Sequence, residues 1–144
     1  MKKLACGAAL LTCLAAACGS DATPTTPSST TTPTTQTKVF AGSLEVGASS
    51  FYSFTPSQAG TVSVTLASLT VGTGTGVTSN VVMGLGVGVP AGTDCSLTTS
   101  VDTAAALVAQ MSNAMSPGTY CVRIYDIGNL TEPVRFAIRI VHPS

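Results

Sequence analysis

Five cysteines, at positions 6, 13, 18, 95 and 121, are the residues of this 144-residue chain with the most chemistry to offer. They fall into two sets. Lys2 and Lys3, the apolar run from Leu4 through Leu14, and the small residues Ala15, Ala16 and Ala17 read as a bacterial secretory signal, residues 1–17, ending directly before Cys18. The apolar segment is shorter than the about 20 residues a membrane span needs. Cleavage before Cys18 removes Cys6 and Cys13, frees Cys18 to be capped as a thioether lipid, and leaves Cys95 and Cys121 to pair in an oxidising compartment. In the chain-entropy account, closing a loop of about 27 residues stabilises a fold by up to roughly 3.5 kcal/mol. With no Cys-x-x-Cys motif, a redox role is not indicated.

Leu14 to Cys18 resembles the lipobox of bacterial lipoproteins, in which a small residue precedes the cysteine that becomes the acylated N-terminus. Ala15 holds the place usually taken by leucine, and Leu14 sits one residue further back. Cys13, after Leu10, Leu11 and Thr12, offers a second match with a poorer residue at the cleavage point. The resemblance implies palmitate-type acylation of Cys18 and a lipid bilayer as partner. Neither Gly19 nor Ser20 is the aspartate that favours inner-membrane retention in enterobacterial lipoproteins, so the implied address is the outer membrane, on its periplasmic or surface face. A cleaved signal with a free Cys18 thiol is the alternative.

The remaining reactive side chains point away from catalysis. His142 is the single histidine, two residues from the C-terminus, without a second imidazole for a metal site and poorly placed for a general base. The acids are scattered singly: Asp94 beside Cys95, Asp102 at an expected turn, Asp126 at an expected strand end, with no calcium-loop or paired-carboxylate spacing. Gly72-x-Gly74-x-Gly76 lacks the Lys-Ser/Thr of a phosphate loop, and no serine lies in a nucleophile elbow. The expectation is a protein without cofactor or metal, and not an enzyme. After signal removal, Lys38, Arg123, Arg135 and Arg139 stand against Asp21, Glu45, Asp94, Asp102, Asp126 and Glu132, so no basic field exists to hold nucleic acid.

The elements that must position these groups begin with a tether. Asp21 to Thr37 is almost wholly Thr, Ser and Pro, so residues 18–37 read as a lipidated N-terminus and disordered linker, reaching on the order of 50 Å in polyproline II. From Lys38 to Ser144 the composition suits one domain. Val62, Val64 and Leu66 alternate with Ser63 and Thr65; Val134, Phe136, Ile138 and Ile140 alternate with Arg135, Ala137 and Arg139; Tyr120, Val122 and Ile124 alternate with Cys121, Arg123 and Tyr125. Val39–Val46 and Ser50–Phe54 are further strand candidates, separated by Gly- and Pro-rich turns. This pattern predicts an all-β antiparallel sandwich.

Two segments leave alternatives. In Val81 to Val89, Gly84, Gly86 and Gly88 strip one strand face of side chains, either because a neighbour packs there or to offer a flat platform to a partner. Asp102 to Asn113 reads as one or two helical turns or a small-residue strand, the sandwich context favouring the strand. If the strands flanking Gly128 to Pro133 pair as a hairpin, Arg123, Tyr125, Arg135 and Arg139 share one outward face. That face is the candidate binding surface, suited to carboxylates, acidic glycans or an acidic protein; the alternative is a solvated sheet face.

Gly42-x-Leu44, Gly47, Phe51-Tyr52-x-Phe54, Gly60-x-Val62-x-Val64-x-Leu66 and Pro117-Gly118-Thr119-Tyr120-x-Val122-x-Ile124-x-Asp126 resemble the bacterial pre-peptidase C-terminal domain. The resemblance implies a jelly-roll-like β-sandwich of the kind appended to secreted proteases, at times as a substrate-binding or processing module. Calcium, bound by some relatives, does not carry over, and no peptidase accompanies the domain in this chain. The expected function is a membrane-anchored, non-catalytic binding or adhesion module for a glycan or an envelope protein. The alternative is a structural or assembly factor that binds a protein partner such as an exported peptidase.

Overall fold

The computed structural model describes residues 34–72 and 80–144. The signal, Cys18, positions 18–33 of the expected linker, and Gly74 and Gly76 lie outside the described residues. Eight strands follow in order: β1 Thr35–Leu44, β2 Ser49–Phe54, β3 Gly60–Val71, β4 Met83–Ala91, β5 Asp94–Thr103, β6 Met111–Met115, β7 Tyr120–Tyr125 and β8 Val134–Pro143. β1 begins at Thr35 rather than after Thr37. Thr35, Gln36 and Thr37 pair with Pro143, His142 and Val141, so the last three residues read as linker extend the domain's edge strand.

The pairings follow one rule. β1 pairs with β8, β2 with β7, β3 with β6 and β4 with β5, all antiparallel, like one long hairpin whose tip is Gly92-Thr93. Gly92 has a φ of 62°, the positive value a two-residue hairpin turn demands. Rolling this ribbon up adds the β3–β8 and β4–β7 pairings and gives two four-stranded sheets, β1-β8-β3-β6 and β2-β7-β4-β5. That is the strand order of a jelly-roll sandwich. The expected all-β antiparallel sandwich is what the chain forms, with no helix among the described residues.

Alternation builds the core. Val62, Val64 and Leu66 of β3 and Phe136, Ile138 and Ile140 of β8 are buried against Met83, Leu85 and Val87 of β4 and Val122 and Ile124 of β7. Each such side chain contributes about 1.5–3 kcal/mol by leaving water. His142, expected as a tail residue, is instead fully buried on the inward face of β8, beside Phe54. Its Nδ1–H donates to the Pro143 carbonyl at 2.9 Å, and Nε2 is buried with no hydrogen-bond partner among the described residues.

Both open segments resolve into contacts. The glycine face of β4 is covered by its own sheet: a Cβ on Gly84 would strike the Tyr125 ring, one on Gly86 the Leu97 side chain, and one on Gly88 the backbone at Ser96 and Leu97. It is not an open platform. In Asp102 to Asn113, Asp102 and Thr103 end β5, Met111 to Asn113 begin β6, and 104–110 are neither helix nor strand. This segment runs beside β3 where that strand bulges at Ala67, and Ala106 N donates to Leu66 O at 2.9 Å. There the Gln110 side chain replaces ladder partners, accepting from Leu66 N at 2.8 Å and donating to Leu66 O and Ala104 O.

Candidate functional site

The cysteine pair sets the shape of the second sheet. Cys95 and Cys121 form a disulfide with Cα atoms 5.9 Å apart. Cys95 lies on β5 opposite Pro90 and Cys121 on β7 opposite Gly88, so the bond crosses the intervening strand β4. Two strand spacings of about 4.8 Å would put them too far apart. The gap closes because β5 bulges at Thr98, whose hydroxyl donates to Val87 O at 3.1 Å, and lies over β4 where Gly88 has no Cβ.

The expected cationic face does not form. Strands β7 and β8 belong to different sheets, so they do not pair across 128–133 and their outward residues point to opposite sides of the sandwich. Arg123 and Tyr125 face out from the second sheet. There Arg123 pairs with Asp94 at 3.2 Å, donates to the Ser49 hydroxyl at 3.1 Å and lies 5.7 Å from the centre of the Tyr125 ring, which itself covers Gly84. Arg135 and Arg139 face out from the first sheet, where Arg139 donates to Leu107 O at 3.4 Å. The structure brings together two of the four residues, and the cation among those two is already paired with a carboxylate.

Asp126 is the structural acid at the other end. Its carboxylate accepts from the backbone N–H of Gly47 at 2.8 Å and from those of Gly128, Asn129 and Leu130, tying the β1–β2 turn to the β7–β8 loop. These donors, Gly47 first, hold its carboxyl below the usual aspartate range, because each favours the charged form.

Polar side chains from both sheets meet in one cleft. It has a volume of about 360 Å³ and opens where edge strand β6 of the first sheet faces β4 and β5 of the second. In β6 the inward positions are Met111, Asn113 and Met115; Asn113 lies opposite the fully buried Val62, so a polar amide occupies a core-facing register position. Across the gap Thr99 pairs with Val87 and shares its inward face. The Asn113 amide, the Thr99 hydroxyl and the Ser116 hydroxyl have no hydrogen-bond partner among the described residues. Val87, Val89 and Met115 supply apolar surface. Tyr120 closes one end, its hydroxyl donating to Ser116 O at 3.1 Å and its ring stacked on Phe54 at 6.0 Å. Among the described residues, no carboxylate, imidazole, ammonium or guanidinium lines the cleft.

None of Thr99, Asn113 or Ser116 belongs to a chemical motif in the sequence. The signal was period two itself: Met111, Asn113 and Met115 alternate with Ser112 and Ala114, which marks Asn113 as a polar residue on an apolar face. Among the described residues no group of three or more His, Cys, Asp or Glu is placed to hold a metal ion, and no helix is long and apolar enough to cross a membrane.

Fold and site together define a disulfide-stapled β-sandwich with an uncharged cleft between its two sheets. No protein-family model matches the chain, and no curated protein does. Among solved structures, one described as "Bacillus endospore appendages form a novel family of disulfide-linked pili" aligns at a TM-score of 0.37 and 14% identity, covering 78% of this chain and 90% of that one. Likeness at this level bears on neither function nor assembly.

Proposed function

We propose that this protein is a membrane-anchored, non-catalytic binding module: a lipid on Cys18, a Thr/Ser/Pro tether, and a stapled β-sandwich whose cleft takes the ligand. The observation that carries this reading is the cleft's composition. Unpaired amide and hydroxyl groups from both sheets converge there, and none of the ionisable groups that move protons near neutral pH accompanies them. Such a lining can hold and orient a ligand by hydrogen bonding and apolar contact. The lipobox resemblance supports the anchor and an outer-membrane address. The pre-peptidase-like motifs support an accessory domain, for which the sandwich architecture is the common ground.

The test is photo-crosslinking in the native envelope, with a photoreactive residue at Thr99 and a control at Ser43, together with intact-mass analysis of the membrane fraction. A diacylated or triacylated Cys18 and adducts specific to the Thr99 probe are expected. A soluble, unlipidated product overturns the anchor. Equal capture by the two probes overturns the cleft as the binding surface.

A further inference from the structure

Resting on the reading of the cleft as a binding site, we propose that its ligand is a neutral saccharide, gripped between Asn113 of the first sheet and Thr99 of the second. A sugar ring offers two kinds of surface, a rim of hydroxyls that donate and accept and a face of C–H groups. The cleft offers the complement of both. A carboxamide carries donors and an acceptor on one group, which suits adjacent hydroxyls, and Asn113 presents one from an inward position with no side-chain hydrogen bond among the described residues. Thr99 and Ser116 add hydroxyls that donate or accept, while Val87 and Met115 provide apolar contact for the C–H face.

Tyr120 makes the site rigid. Its hydroxyl is tethered to Ser116 O and its ring to Phe54, so the aromatic wall is fixed before a ligand arrives. The missing charges define what is refused. An acidic sugar would lose the hydration of its carboxylate or sulfate and meet no cation in the cleft. Arg123 of the second sheet faces outward, away from the cleft, and is occupied by Asp94. An extended peptide is less well matched. It would add to the backbone edge of β5 or β6, whereas the polar groups that converge in the cleft are side chains on two facing walls.

The experiment uses the mature full chain in a detergent without a sugar headgroup, with Met and Val methyls labelled for NMR. The probes are neutral gluco-, manno-, galacto- and N-acetylglucosamine oligosaccharides, oligomers of uronic acids, and a Thr/Ser-rich peptide. A neutral oligosaccharide is expected to shift the Met115, Val87 and Val89 methyls. Asn113→Ala should weaken it about tenfold or more and Thr99→Val about fivefold, the loss of one hydrogen bond each. Arg139→Ala, on the far face of the first sheet, should leave binding unchanged. Shifts confined to methyls elsewhere, or binding indifferent to both cleft variants, would overturn the site. Uronic acids or the peptide shifting the cleft methyls while no neutral sugar does would overturn the neutral saccharide and leave the binding-module reading standing. No shift with any saccharide up to its solubility limit would overturn the inference, with crosslinking at Thr99 then deciding the broader reading separately.

Discussion

The sandwich has two long seams where edge strands of opposite sheets face each other, and they are closed in opposite ways. Along β1 and β2, Phe40 stacks on Tyr52 with centroids 4.8 Å apart, and Tyr52 meets Phe136 edge-on at 6.2 Å. Gly42 makes the room: a Cβ there would lie 2.7 Å from the Tyr52 hydroxyl oxygen. Along β5 and β6 the Tyr120 ring closes one end of the gap, and the inward Asn113 and Thr99 face a cleft. The first seam is shut by apolar area and aromatic geometry. In the second, the disulfide and the β5 bulge fix β5 from the outer side of its own sheet, while Asn113 and Thr99 face the cleft between the sheets. Rigidity without filling is what a binding site requires.

Breaking the staple tests the contrast hardest. Replacing Cys95 and Cys121 together by Ser should cost about 3.5 kcal/mol in denaturant unfolding and loosen the β5–β6 seam. Hydrogen exchange should then rise along β5 more than along β1. Opening the other seam with Tyr52→Ala should cost about 3 kcal/mol, less than a fully buried ring because Tyr52 is half-buried, and should leave ligand binding intact. Gly88→Ala forces a Cβ into the Ser96–Leu97 backbone. A loss of about 2 kcal/mol is expected, with a fraction of molecules purified with reactive thiols at 95 and 121, counted by alkylation and mass.

Asn113→Leu sharpens the comparison by making the second seam resemble the first. It should raise stability by about 1 kcal/mol, a higher melting temperature by several degrees, while abolishing ligand binding. Asp126→Asn has the smallest effect, a loss present at neutral pH that vanishes in acid. A carboxyl held below its unfolded pKa adds stability that is fully present above the unfolded value and disappears as pH falls through the folded one. The wild-type chain should therefore lose stability below about pH 4 more steeply than the Asn variant, as read from melting curves across the acid range.

Much of the fold was legible in local alternation, and the exceptions have specific causes. The β3, β7 and β8 faces follow period two, and the structure keeps those residues inside. Strand β5 escaped because its bulge breaks the count: Leu97 and Val101, four residues apart, should share a face, yet Leu97 covers Gly86 on the outside while Val101 packs toward the core opposite Leu85. The burial of His142 was hidden because nearness to the C-terminus says nothing about a strand that runs between two others. The four-residue cationic surface failed on one assumption, that strands adjacent in sequence pair with each other.

What the sequence alone determined is whatever depends on near neighbours along the chain: strand faces, turn positions, the sparse and scattered charges, and a cysteine pair apt for oxidation. Only the tertiary structure decided which strands meet. Pairing in a rolled ribbon joins β1 to β8 and β2 to β7, contacts between the chain's two ends whose energy no local window contains. The same rolling sends Arg123 and Arg135 to opposite outer faces and brings Asn113 opposite Thr99. The cleft exists because two edge strands, each ordinary in its own sequence, present Asn113 and Thr99 to it from facing sheets.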